Sequence, residues 1–151
     1  MFGGRVDLHH LNAGIPGSPG GFPDLDVTEF DRVMAVNVRG MFLGLRGAFR
    51  RYRAQHSTGA VVLTASIASL RGSADLIAYQ TSKHAVLGLL RGAAMYGGPL
   101  GIRVNAVAPG MVPTNLDGGA AIMSTVRPSG GAGAWDFASL DRRTYLEGGN
   151  P

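Results

Sequence analysis

The 151-residue chain has no cysteine, which excludes disulfides, thiolate nucleophiles and cysteine-ligated metals. Charged residues make up only 16% of it and hydrophobic residues 45%, the balance of a folded domain and not of a disordered tail. No apolar run approaches the roughly 20 residues that cross a bilayer. The opening stretch MFGGRVDLHHL is too short and too His-interrupted to be a secretory leader. A cytoplasmic location without a membrane partner is the expectation. Lysine is the scarcest charged residue: Lys83 stands alone among 14 basic residues, the others all arginine.

The net charge of +4 raises the question of nucleic acid. The arginines are scattered except for Arg46, Arg50, Arg51 and Arg53, which fall near the end of an expected helix, where cations complement the dipole. No row of stacking aromatics accompanies them, so no nucleic-acid partner is expected.

What the chain does have is glycine, 24 residues, concentrated in NAGIPGSPGGFPD (12–24) and RPSGGAGAW (127–135), which read as loops. Between them the pattern is regular. VDLHHL (6–11) is a short strand. Asp26 and Glu29 form an N-cap and N3 pair, followed by a helix over 28–55 with Phe30, Met34, Met41, Leu45, Phe49 and Tyr52 at helical spacing. Gly40 and Gly44 mark a bend or close packing in it. GAVVLTAS (59–66) is an apolar, β-branched strand. A second helix runs over 76–96, with Val86, Leu87, Leu90 and Ala94 on one side, and GGP (97–99) stops it. IRVNAVAPG (102–110) is a third strand. Strands alternating with helices predict an α/β fold whose parallel sheet is covered on both faces. His9 and His10 point to opposite faces of a strand, so no metal site is expected there; His84 is read as surface.

Lys83 sits in AYQTSKHAV (78–86), four residues after Tyr79. In a helix these positions share a face, one turn apart, near the carboxyl end of the preceding strand, where open α/β sheets place their sites. A phenol with an ordinary pKa of about 10 must shift by roughly 3 units to exchange protons near neutrality. An ammonium ~4 Å away at an effective dielectric of ~20 supplies about that much. A compact ammonium on a flexible stem also suits a crowded place better than a guanidinium fork. Ser66 ends the strand before Tyr79, where its hydroxyl can donate to a substrate oxygen. Asn37 is a poor residue for a helix interior, and is expected to disturb the helix and hold a water. NAG (12–14) and PGMVPTN (109–115) end the other two strands at the same sheet edge. Ser69 is read as structural, and Trp135 and Phe137 as packing residues of the tail.

Together these elements resemble the short-chain dehydrogenase/reductase family, Rossmann-type oxidoreductases that use NAD or NADP. Residues 5–115 carry the likeness: NAG after a strand, NV-x-G in the next helix, a serine before Y-x-x-x-K, then VNAVAPG and a threonine. The resemblance implies hydride transfer between a nicotinamide and a small-molecule alcohol or ketone. It makes Tyr79 the general acid/base, Ser66 the residue that orients the reacting oxygen, Lys83 the support of tyrosine and nicotinamide ribose, and Asn37 the holder of a relay water. Asn12, Ala13, Gly14, Tyr79, Lys83, Pro109, Gly110, Val112 and Thr114 would line the cofactor. Helices 28–55 and 76–96 would form a homo-oligomer interface.

The chain departs from the family in lacking its first strands and the T-G-x-x-x-G-x-G turn, where a helix N-terminus takes the cofactor pyrophosphate. The expected architecture is therefore a partial Rossmann-type doubly wound parallel sheet. Residues 1–115 form the catalytic half and 116–151 a shortened lid and tail, truncated at both ends relative to the family. The strand at 6–11 would expose an apolar edge. Such a chain is expected to be weak or inactive by itself, and the alternative is a non-enzymatic remnant that acts only through subunit association.

Overall fold

A computed structural model of the chain describes residues 4–110 and residue 112. The elements are β1 (Leu8–Leu11), α1 (Val27–Met34), α2 (Gly40–Ala54), β2 (Gly59–Thr64), α3 (Ile77–Gly97) and β3 (Ile102–Val107). A π-helical turn, Ala35–Arg39, joins α1 to α2, so the expected long helix is one rod with a bulge that contains Asn37. Short 3-10 turns occupy Ile67–Ser69 and Gly98–Leu100. Thr114, Met111, Trp135, Phe137 and the rest of the 116–151 tail lie outside the described residues.

Local chemistry sets the element ends. Asp26 caps α1 by accepting from the Thr28 N–H at 2.8 Å. Glu29 does not complete the expected capping pair. Its carboxylate instead accepts from the Ser18 N–H at 2.7 Å and from Arg32 Nε at 2.7 Å. The loop before α1 presents that amide, and a guanidinium one turn on makes a stronger, charge-assisted bond. Hydrogen bonding from Arg32 and Ser18 holds the Glu29 carboxyl down to about 2. After α3, Gly101 adopts a left-handed φ of 69°, which turns the chain into β3.

The strands form a parallel three-stranded sheet in the order β1-β2-β3, with Leu8 opposite Ala60 and Val61 opposite Val104. Both connections step in the same direction across the sheet. Right-handed crossovers then bring α1–α2 and α3 to the same face. The core confirms it: Met41, Leu45, Ala48 and Tyr52 of α2 and Val86 of α3 pack in one cluster on Val61, Leu63, Ile102 and Val104. Each fully buried aliphatic side chain here contributes about 1.5–3 kcal/mol. These helices cover one face of the sheet. Among the described residues no helix lies on the other face, where Leu8, Arg103, Asn105 and Val107 are exposed.

β1 is an edge strand that pairs only with β2 among the described residues. Side-chain amides secure the backbone at both its ends. The Val6 N–H donates to Gln55 Oε1 and Gln55 Nε2 donates to the Val6 carbonyl, each at 2.8 Å. Asn37 does the same for Ile15 beyond the strand, as described next.

Candidate active site

The site forms where the carboxyl ends of the strands meet the π-turn and the first turns of α3. Asn37 is fully buried. Its Oδ1 accepts from the Ile15 N–H at 2.8 Å, and its Nδ2 donates to the Ile15 carbonyl at 2.8 Å and to Ser82 Oγ at 2.9 Å. Both amide hydrogens are therefore committed within the protein. The Ser82 hydroxyl in turn donates to the Tyr79 carbonyl at 2.6 Å. The bulge in the helix is thus tied to the loop after β1 on one side and to α3 on the other.

Tyr79 lies half-buried in the first turn of α3, and Lys83, one turn on, is 3% exposed. Lys83 Nζ sits 5.6 Å from the centre of the Tyr79 ring and donates to the Thr64 carbonyl at 2.9 Å. Among the described residues no carboxylate pairs with it, and burial lowers its pKa from the ordinary lysine value. A buried ammonium without a counter-ion is costly, so its bond to the Thr64 carbonyl at the end of β2 fixes where that charge lies.

Ser66, 8% exposed, caps the 3-10 turn after β2 with an extended backbone. Its Oγ accepts from the Ala68 N–H at 3.1 Å, and its own N–H donates to Ser69 Oγ at 3.2 Å. The Ser66 hydroxyl accepts in that bond and keeps its own hydrogen for another oxygen. Ser69 is 2% exposed and serves the turn. The ladder between β2 and β3 continues past both strands, with Ala65 N–H donating to the Val107 carbonyl at 2.8 Å and Ile67 N–H to the Pro109 carbonyl at 3.0 Å. That places Pro109 and Gly110 beside Ser66. Val112 is 56% exposed.

Asn12 Oδ1 accepts from the Thr64 hydroxyl at 2.7 Å, and His10 Nε2 lies 2.9 Å from that same hydroxyl. Since Thr64 has one hydrogen and gives it to Asn12, His10 Nε2 is the donor to Thr64. His9 faces the other way, with Nδ1 2.8 Å from the Tyr52 hydroxyl. Ala13 is exposed, and Gly14 packs its bare Cα against Asn37 and Lys83. His84 is exposed and bonds to the Gln80 carbonyl at 2.8 Å.

The structure therefore gathers Asn12, Gly14, Asn37, Tyr79 and Lys83 around the end of β2, with Ser66 and Pro109 on the adjoining turn. Two participants escaped the sequence reading. Thr64 holds Lys83 by its backbone and Asn12 by its side chain. Ser82 links Asn37 to α3; it lies on the buried stripe Ala78, Ser82, Val86, where a hydroxyl needs a partner.

Comparison with known proteins gives a consistent picture. The family profile described as short chain dehydrogenase matches residues 1–123. Levodione reductase from Leifsonia aquatica is 43% identical over 113 residues, 75% of this chain and 42% of that protein. The crystal structure of levodione reductase superposes with a TM-score of 0.67 at 44% identity, over 71% of this chain and 41% of its own. ElxO with NADP bound has a TM-score of 0.68 at 37% identity, covering 72% of this chain and 44% of its own. NAD+-bound xylitol dehydrogenase has a TM-score of 0.68 at 38% identity, covering 71% and 41%. The chain spans less than half the length of these relatives.

Proposed function

Because the chain belongs to the short-chain dehydrogenase family, we propose that it carries the proton-transfer half of an NAD- or NADP-dependent alcohol/carbonyl oxidoreductase site. The observation that carries this reading is the placement of Lys83: a buried ammonium anchored at 2.9 Å on the Thr64 carbonyl, 5.6 Å from the Tyr79 ring. With Lys83 held beside its ring, Tyr79 acts as general acid toward a carbonyl oxygen and as general base toward an alcohol. Ser66 donates its free hydrogen to the same oxygen and orients it. Asn37 keeps the π-turn and α3 in register. With its amide hydrogens committed, any relay water it holds is held through an oxygen.

The donor chemistry around Lys83 fits a nicotinamide nucleotide. An ammonium has three hydrogens, and Thr64 takes one, leaving donors for ribose hydroxyls; Asn12, Ala13 and Gly14 form an adjacent backbone ledge, with Pro109, Gly110 and Val112 across from it and Thr114 beyond the described residues. Bound there, the cofactor would supply or accept the hydride while the protein supplies position and field. Its pyrophosphate finds no glycine-rich strand–helix turn among the described residues, so turnover by this chain alone is expected to be weak. The test is a spectrophotometric assay with NADH or NADPH and a panel of small ketones. Tyr79→Phe should abolish turnover and leave cofactor affinity close to the original. Equal activity in that variant refutes the role of Tyr79.

A second reading, association of subunits without catalysis, draws on the outer groove between α2 and α3. This cavity of about 850 Å³ is lined by Phe42, Phe49, Gly88, Leu89, Gly92 and Tyr96, with Phe42 50% and Tyr96 68% exposed. The proposed occupant is a second copy of the chain. A wild-type chain that dimerises in sedimentation but neither binds cofactor nor turns over would favour this reading.

A further inference from the structure

We infer that Thr64 and, through it, His10 are positioning residues for Asn12: a hydrogen-bond chain from His10 to Thr64 to Asn12 holds the carboxamide oxygen and leaves both amide hydrogens of Asn12 as donors to an acceptor oxygen of the bound nucleotide. That the ligand is a nucleotide rests on the reading proposed above; the chain of bonds does not.

Strand register builds the chain. His10 and Asn12 are two residues apart on β1 and its extension, so their side chains leave the same face of the sheet. Leu11 lies opposite Leu63, which brings Thr64, the next residue of β2, within reach of both. The Thr64 backbone is fixed in the ladder opposite Val107, and its carbonyl holds Lys83 Nζ at 2.9 Å. His10 Nε2 lies 2.9 Å from the Thr64 hydroxyl, and that hydroxyl donates to Asn12 Oδ1 at 2.7 Å.

A hydroxyl has one hydrogen, so such a chain runs in one of two senses. In the observed sense His10 donates, Thr64 passes the bond on, and the Asn12 oxygen is taken. Asn12 Nδ2 then makes no hydrogen bond among the described residues. In the opposite sense Thr64 would donate to His10 and accept from Asn12, spending an amide hydrogen and releasing the oxygen. A cationic imidazole donates from both nitrogens, so it permits only the observed sense, and its charge-assisted bond polarises the chain. The ionisable groups around His10 leave this bond alone. β2 carries none. Arg103 on β3 is exposed and opposite Ala60, level with Leu8. Arg5 and Asp7 pair with each other, and His9 turns to Tyr52.

The test is a pH titration by NMR of the full 151-residue chain, labelled with 13C and 15N. The His10 ring and the Asn12 side-chain amide are followed together in wild type, Thr64→Val and Thr64→Ser. Valine keeps the branched shape without the hydroxyl, and serine restores the hydroxyl. The expected result is an Asn12 amide that titrates with the His10 ring in wild type and Thr64→Ser and loses that step in Thr64→Val. A step that survives in Thr64→Val, or is absent from wild type or Thr64→Ser, overturns the chain. So does a neutral His10 with its hydrogen on Nδ1, a readout taken on wild type that stands even if a variant fails to fold. NADH or NADPH is then added. Movement of both the Lys83 and Asn12 side-chain signals supports the donor role. Movement of Lys83 alone overturns it, and movement of neither overturns the nucleotide as ligand. None of these readouts requires turnover, so failure of the Tyr79→Phe test would leave them standing.

Discussion

Asn37 and Ile15 pair as two peptide groups would: N–H to Oδ1 and Nδ2 to carbonyl, both at 2.8 Å. Gln55 repeats the device on Val6, also at 2.8 Å in both directions. The rod formed by α1, the π-turn and α2 thus grips the backbone before and after β1. The two clamps differ in burial, Asn37 being fully buried while the Gln55 bonds are exposed.

That difference yields a prediction. Asn37→Ala leaves the Ile15 backbone and the Ser82 hydroxyl short of partners in a dry site, which costs about 1–3 kcal/mol. Gln55→Ala exposes its partners to water and costs less than about 1 kcal/mol. Urea denaturation of both variants measures this, and an equal loss would show that the clamps do not depend on burial.

Gly59 and Tyr52 give a sharper contrast. A Cβ at Gly59 would overlap the Tyr52 ring, which is fully buried and donates its hydroxyl to the Ala60 carbonyl at 2.7 Å. Neither ring nor strand can move without breaking that bond. Gly59→Ala should cost about 1–3 kcal/mol, and Tyr52→Phe about 1 kcal/mol from the lost hydrogen bond. Thermal melts that place Gly59→Ala at the wild-type midpoint would contradict the packing.

Much of this arrangement was legible in the sequence. Apolar spacing placed both helical segments within a residue of their observed ends, 28–55 against Val27–Ala54 and 76–96 against Ile77–Gly97. The strands are shorter than the apolar runs, because small apolar residues continue past the strand ends at Thr64 and Val107. Asn37 signalled the helix disturbance through its poor helical propensity, but not that its amide would be spent on Ile15. That α1, α2 and α3 share one face of the sheet was not visible in strand hydropathy; it follows from strand order and crossover hand. Thr64 escaped because its part is played through a backbone carbonyl, which any residue type carries.

His9 supplies a pH dependence. Desolvation, and then the positive charge of Arg51, lower its pKa from the ordinary value, so the fold favours neutral imidazole against the Tyr52 hydroxyl. The unfolded chain binds the proton first as pH falls. The contribution of His9 is therefore complete above about 6.5 and is lost as pH drops through the lower, folded value. Stability should decline on acidification in that window, and His9→Gln should flatten the decline. Arg51→Gln should move the His9 midpoint upward by NMR. A downward move would assign the shift to some other charge.

Gly88 and Gly92 separate helix stability from association. Both sit in α3 on the outer groove, and a Cβ at either meets nothing within 4 Å. Within a single chain, Gly→Ala in a helix interior stabilises by about 0.5–1 kcal/mol. If a second copy packs its helices into this groove, the same methyl groups stand where the partner must approach closely. Gly88→Ala with Gly92→Ala should then raise the unfolding midpoint at low concentration and weaken association in sedimentation equilibrium by tenfold or so, about 1.4 kcal/mol. Arg91, exposed on the same helix, serves as the control through Arg91→Ala, which leaves the apolar groove intact. A double variant that gains stability and associates as tightly as wild type would place the interface elsewhere.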